Sequence, residues 1–274
     1  MRCTSMQGWA VVLAFVAMSG AGAAERVVWQ GQSGGAKVKW TSSDLTVEAK
    51  GKPVSVFRER AQQECQEIAK DLEESELKLL GCDRTYQLLS VVGPYLSFKS
   101  EAYSNSGGAH PSMDTSFLTV RVEGAKPREV LLTELFPEAA LLEALLADSL
   151  VAQALKEAEA PRPTTLAGLV EALDMREIQP PKDPCGYFFE KDFARHFAFH
   201  HVEKKKVAVR VGLSPASGAC RGQHAQLGLL LPVSSELAPL LDKAAARKEG
   251  FLMKDAKKVS GGATTKVAPV KDAP

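Results

Sequence analysis

The chain has little of what marks an enzyme or a nucleic-acid binder. Its 274 residues contain no C-x-x-C or H-E-x-x-H spacing, no G-x-G-x-x-G turn and no P-loop, which removes the common zinc, dinucleotide and nucleotide motifs. The nearest approach to a nucleophile elbow, Gly212-Leu-Ser214-Pro-Ala216, lacks the closing glycine. Nothing places two carboxylates across a cleft, so no catalytic residue, no metal ligand set and no cofactor is expected. Charge of one sign is also missing, with 34 Lys and Arg against 33 Asp and Glu. Without a concentrated basic surface there is no nucleic-acid footprint. The short run Lys204–Lys206 reads as a solvated turn. No stretch approaches the about 20 consecutive apolar residues of a membrane-spanning helix, so no membrane span is expected.

The first two dozen residues do carry a pattern. Arg2 precedes an uncharged apolar run from Trp9 to Met18, followed by small residues in which Ala21-Gly22-Ala23 and Gly22-Ala23-Ala24 both fit a small-x-small cleavage site. Residues 1–24 therefore read as a cleavable signal peptide, and a periplasmic or secreted location is expected. Cys3 lies before the apolar run and is no lipid acceptor. Four further cysteines remain, Cys65, Cys82, Cys185 and Cys220, and four allow three connectivities. Each of the pairs Cys65–Cys82 and Cys185–Cys220 lies within one local stretch of chain, which favours that pairing in an oxidising compartment. A zinc set built from Cys185, Cys220, His224 and His201 has no supporting spacing.

Periodicity divides the remainder. Val38, Trp40, Leu45 and Val47 repeat every second residue, predicting short strands within Glu25–Glu48. From Phe57 to Leu77 the period becomes helical, with Ala61, Cys65, Ile68, Ala69 and Leu72 on one stripe, and Gly81 closes that element. Strands follow at Thr85–Val92, Tyr95–Tyr103 and Ser116–Val122. A long apolar helix over Glu138–Glu157 starts behind Pro137, and a short one covers Leu166–Asp174. Phe193–His200, Val207–Leu213 and Leu227–Leu231 read as strands and Ser235–Lys248 as a helix. Strands, then helices, then strands predict an α+β class with a largely antiparallel sheet, in a single domain over residues 25–253. Lys254–Pro274 holds five lysines and two aspartates among small residues and reads as a disordered tail.

The most unusual local sequence is Tyr103-Ser-Asn-Ser106-Gly107-Gly108-Ala109-His110-Pro111. Adjacent glycines permit positive φ and close backbone approach, and Pro111 holds His110 extended. Tyr103, Ser106, Gly107, Gly108 and His110 are the candidate binding residues, since shaped loops on rigid sheets often carry function. Asp114 follows His110 at a spacing that suits a helix better than this loop. His196, His200 and His201 are the densest histidines; on a regular strand His196 and His200 share a face and His201 points away, leaving no ligand set.

The same loop, with Leu131-Leu-Thr-Glu-Leu-Phe136 and Leu231-Pro-Val-Ser-Ser-Glu-Leu237 downstream, resembles the extracytoplasmic domain of RsiV-type anti-sigma factors and the non-catalytic domain of PdaC-type peptidoglycan deacetylases, over roughly Val54 to Leu241. The resemblance implies an α+β extracytoplasmic module whose partners are cell-wall material or a protein such as lysozyme. Signal transduction and deacetylation are not carried over. The alternatives are a cell-wall-directed hydrolase using His110 and a structural envelope protein whose lysine-rich tail meets acidic polymers.

Overall fold

The computed structural model describes residues 25–33, 35–49, 51–73, 81–105, 112–123, 126–174, 176–180, 183–217, 220 and 224–267. The chain is α+β, with every ladder between its strands antiparallel. Four short strands, β1 (Val27–Ser33), β2 (Ala36–Thr41), β3 (Leu45–Ala49) and β4 (Lys52–Ser55), form a meander. Helix α1 (Phe57–Ala69) follows, and the long strands β5 (Gly81–Val92), β6 (Tyr95–Asn105) and β7 (Ser112–Glu123) run on to β8 (Lys126–Glu129). Gly81 thus opens a strand instead of closing the helix.

A helical segment comes next: α2 (Leu132–Leu135), α3 (Glu138–Ala147), α4 (Ser149–Glu157) and α5 (Leu166–Leu173). The single helix expected over Glu138–Glu157 is broken at Asp148. Its backbone is extended and its carboxylate caps α4, accepting from Leu150 N–H at 2.9 Å, as a short acidic side chain does at a helix start. Short strands β9 (Glu177–Ile178) and β10 (Tyr187–Phe188) lead to β11 (Phe197–Glu203), β12 (Lys206–Gly212), β13 (Ser214–Pro215) and β14 (Gln226–Pro232). Helices α6 (Ala238–Ala245) and α7 (Met253–Ser260) and strand β15 (Thr265–Val267) complete the described chain.

Two cores result. One face of the five-stranded sheet β15-β5-β6-β7-β8 packs against the meander, α1 and α7, burying Trp40, Leu45, Phe57, Tyr86, Phe98 and Phe251. Trp29 meets the edge of Phe251 at 5.3 Å, so Trp29, like buried Trp40, serves packing. The other core lies between the sheet β11-β12-β14 and the helices α3 to α6, around Phe197, Phe199, Leu141 and Leu227. Strand β11 crosses the remaining face of the large sheet. Leu89, Phe117 and Ala198 pack there, and Thr119 Oγ1 donates to the Phe197 carbonyl at 2.7 Å.

The lysine-rich segment expected to be disordered is folded as far as Val267. Its composition averages out a one-sided pattern: on α7 Asp255, Ala256 and Ser260 are buried while the lysines face solvent. Gly250, at φ +77°, starts this return. A side chain there would strike the Val91 carbonyl, which accepts from Phe251 N–H at 3.0 Å.

Both expected disulfides are present, Cys65–Cys82 joining α1 to β5 and Cys185–Cys220 joining loops 35 residues apart. Loops of this length hold the unfolded chain back by about 2–4 kcal/mol each on the chain-entropy account. Replacing Cys185 and Cys220 together by alanine is expected to lower stability by about that amount. Urea unfolding monitored by circular dichroism measures it, and an unchanged midpoint would refute the entropic account for this pair.

Candidate functional site

The ends of β6 and β7 that flank residues 106–111 are rich in polar residues. Strand alternation puts Lys99, Glu101 and Tyr103 on the face of β6 opposite buried Phe98 and Ser100. Lys99 Nζ lies 2.5 Å from Glu101 Oε1, and the Tyr103 carbonyl accepts from Arg84 at 3.3 Å. Ser106, Gly107, Gly108, Ala109 and His110 lie outside the described residues.

A residue from the far end of the chain reaches this cluster. The segment from Leu213 to Ala225 is closed at its base by Leu213 N–H donating to the Ala225 carbonyl at 3.0 Å, and Cys220 ties it to Cys185. His224 sits at the closing end, within electrostatic reach of Lys99, Glu101 and Asp114. Its Nδ1 is buried and finds no hydrogen-bond partner among the described residues. Burial first, then Lys99, push its pKa below the ordinary histidine value, against the opposing pull of Glu101 and Asp114. The lowered pKa favours the neutral ring, whose Nδ1 is enclosed by the protein and within electrostatic reach of an ammonium and two carboxylates.

In the sequence His224 follows Cys220 by four residues, and nothing there connects it to β6. The available signal was the pair Lys99 and Glu101, two opposite charges at strand spacing on one face of β6.

The other histidines depart from regular strand geometry. Residues 193–195 form a 3-10 turn, so His196 precedes β11 instead of lying within it. A β-bulge between Phe199 and His201 inserts one residue, and His200 Nδ1 and His201 Nδ1 meet at 2.7 Å. The expectation that they point to opposite faces is corrected by that extra residue, which sets two successive side chains against one partner position. Burial, then Arg210, His201 and Lys254, push the His200 imidazole down to about 4. The unfolded ring takes its proton near 6.5, so this stabilisation is complete above pH 6.5 and is lost as pH falls from there toward 4. The denaturant midpoint is expected to drop across that interval. It should drop less in His200→Gln, and identical pH profiles for the two proteins would refute this origin.

Two grouped sets remain. Glu190, Asp192 and His196 bring one ligand atom each within 4.8 Å of one another. Beside them a groove of about 650 Å³ runs over Leu131, Leu166 and Val170, with Lys191, Asp192 and Arg195 on its rim. Among the described residues no helix is long and apolar enough to cross a membrane. No family model, no curated protein and no solved structure matches the chain.

Proposed function

We propose that the chain is an exported, envelope-associated binding module of the RsiV/PdaC extracytoplasmic type, working at the sheet end that bears the Tyr103–Pro111 loop. Its ligand is cell-wall material or an envelope protein. The observation that supports this reading most is the His224 Nδ1, buried and unpartnered among the described residues, beside Lys99, Glu101 and Asp114 at the base of that loop. A buried polar atom without a partner costs stability, the kind of exception that functional sites carry. The pattern in Met1–Ala24 and the two disulfides support export to an oxidising compartment.

The test is co-sedimentation of the full chain with isolated cell walls, together with capture from envelope extract. His224→Ala and His110→Ala are expected to weaken binding by about 10-fold or more, the worth of one or two hydrogen bonds to a buried site, while the thermal midpoint stays within a few degrees. Binding unaltered by either change, or absent from wild type in both assays, would remove the loop end as the working surface. Release of soluble wall fragments during the assay would make the chain a hydrolase instead.

A further inference from the structure

We propose that Glu190, Asp192 and His196 form a binding site for a divalent transition-metal ion of the zinc type, made by residues other than His224, Lys99 and Glu101 and not resting on the reading above. The site is built by the turn before β11. Phe193 N–H donates to the Glu190 carbonyl at 3.0 Å, Arg195 N–H to that of Asp192 at 2.8 Å, and His196 N–H to that of Phe193 at 3.0 Å. This winding folds the imidazole back over the two carboxylates. The turn is anchored from below, where Phe189 and Phe193 are buried and stack at 4.9 Å.

The histidine is oriented from outside the cluster. His196 Nδ1 lies 3.3 Å from the Phe117 carbonyl on β7. With the Nδ1 proton given to that carbonyl, Nε2 presents its lone pair to the acids, the arrangement that orients most metal-binding imidazoles. Nε2 stands 3.5 Å from Asp192 Oδ2 and 4.0 Å from Glu190 Oε2. Ligand atoms of a tetrahedral zinc ion, at bonds of about 2.0–2.2 Å, are about 3.4 Å apart. Closing onto an ion thus asks only small rotations of two carboxylates that face solvent.

Electrostatics favour a cation at this point. The neighbouring cations make their closer pairs with other acids: Lys191 Nζ holds Asp174 at 2.8 Å, and Arg195 Nε holds Glu129 at 3.1 Å, its Nη1 being 3.8 Å from Asp192. Of the two carboxylates, Asp192 has the Arg195 guanidinium at 3.8 Å, and the ion pair of Glu190 among the described residues is the one with His196. The imidazole nitrogen selects against magnesium and calcium, which prefer oxygen alone. Three protein ligands and solvent access leave the fourth position to water.

The full chain, stripped with chelator, is titrated with Zn2+ by calorimetry and with Co2+ by visible absorption. One saturable equivalent is expected, with a Co2+ band of tetrahedral intensity. His196→Ala and the double change Glu190→Gln, Asp192→Asn should each weaken Zn2+ binding by at least 30-fold, with the near-ultraviolet circular dichroism unchanged. His200→Ala and His224→Ala should leave the equivalent in place. Absence of a saturable equivalent, its persistence in His196→Ala, its loss in the His200 or His224 variants, or its displacement by millimolar Ca2+ would each overturn the proposal. Should His196→Ala misfold, the carboxylate double variant, which leaves the imidazole and its Phe117 contact in place, decides the outcome.

Discussion

Deletion of residues 254–274 is expected to unfold the protein. Strand β15 closes the edge of the large sheet, with Thr265 opposite Tyr86 and Val267 opposite Arg84. Thr265, fully buried, accepts from Trp40 Nε1 at 2.8 Å and donates to the Thr41 carbonyl at 2.7 Å. Loss of the segment strands both groups, at about 1–3 kcal/mol each. It also uncovers the apolar surface beneath Ala256 and Val267 and leaves β5 as an unpaired edge. The sum is comparable with the about 5–15 kcal/mol that holds an ordinary domain together. Near-ultraviolet circular dichroism and gel filtration of the truncated chain should show lost tertiary packing and association. A cooperative melt within a few degrees of the full chain would refute this. Thr265→Val offers a finer measure, because it preserves shape and strands only the hydrogen-bonding groups. With both groups stranded it should cost about 2–6 kcal/mol. The truncation is consequently no test of a role for the lysines, since binding lost with the segment would be lost with the fold; charge reversal at exposed Lys257 and Lys258 is the usable form of that experiment.

Glu64→Leu is expected to cost about 3–5 kcal/mol, the effect of breaking a buried ion pair by removing one partner. Glu64 stands between two cations, Oε1 being 2.5 Å from Arg60 Nε and Oε2 2.8 Å from Arg84 Nε. The Arg84 side chain is only 3% exposed. Arg60 reaches on to Glu129, which also holds Arg195, so one chain of opposite charges joins α1, β5, β8 and the turn before β11. Without the carboxylate, two guanidinium groups face each other in a nearly closed site. Burial and the adjacent carboxylate push the Tyr86 phenol well above its ordinary pKa, in keeping with a dry environment. Adding Arg84→Met to Glu64→Leu should recover much of the loss, because an apolar pair has no charge to desolvate. A double-mutant cycle in urea measures the coupling, and additive effects of the two changes would refute a shared network. Arg84 also donates to the Tyr103 carbonyl, so the single variant should loosen the strand end beneath the candidate binding loop.

Much of the architecture is local and was readable in the chain. The period of two through Val38, Trp40, Leu45 and Val47 produces the meander because alternate side chains must enter one core. Thr85–Val92 and Tyr95–Tyr103 fold about Gly93-Pro94 into the central hairpin, and both cysteine pairs are close in sequence as well as in space. Apolar period and local cysteine spacing, acting over a few residues, were sufficient there.

Interactions that act at a distance, or through one added residue, decided the rest. The hydrogen bond between Trp40 and Thr265 spans 225 positions, and nothing in the composition of the lysine-rich segment announces a partner that far away. Counting alternate positions cannot register the bulge that brings His200 onto His201, because a single inserted residue reverses every later assignment. Asp148 lies in an unbroken helical pattern, yet its carboxylate caps the following turn and also accepts from Gly228 N–H on β14 at 3.1 Å, an alternative that tertiary packing supplied. For the candidate site, the sequence by itself singled out the loop after Tyr103. Only the tertiary structure brought His224 within electrostatic reach of Lys99 and Glu101, through the packing of the sheet β11-β12-β14 over the larger one, and strand period within either sheet contains no term for that approach.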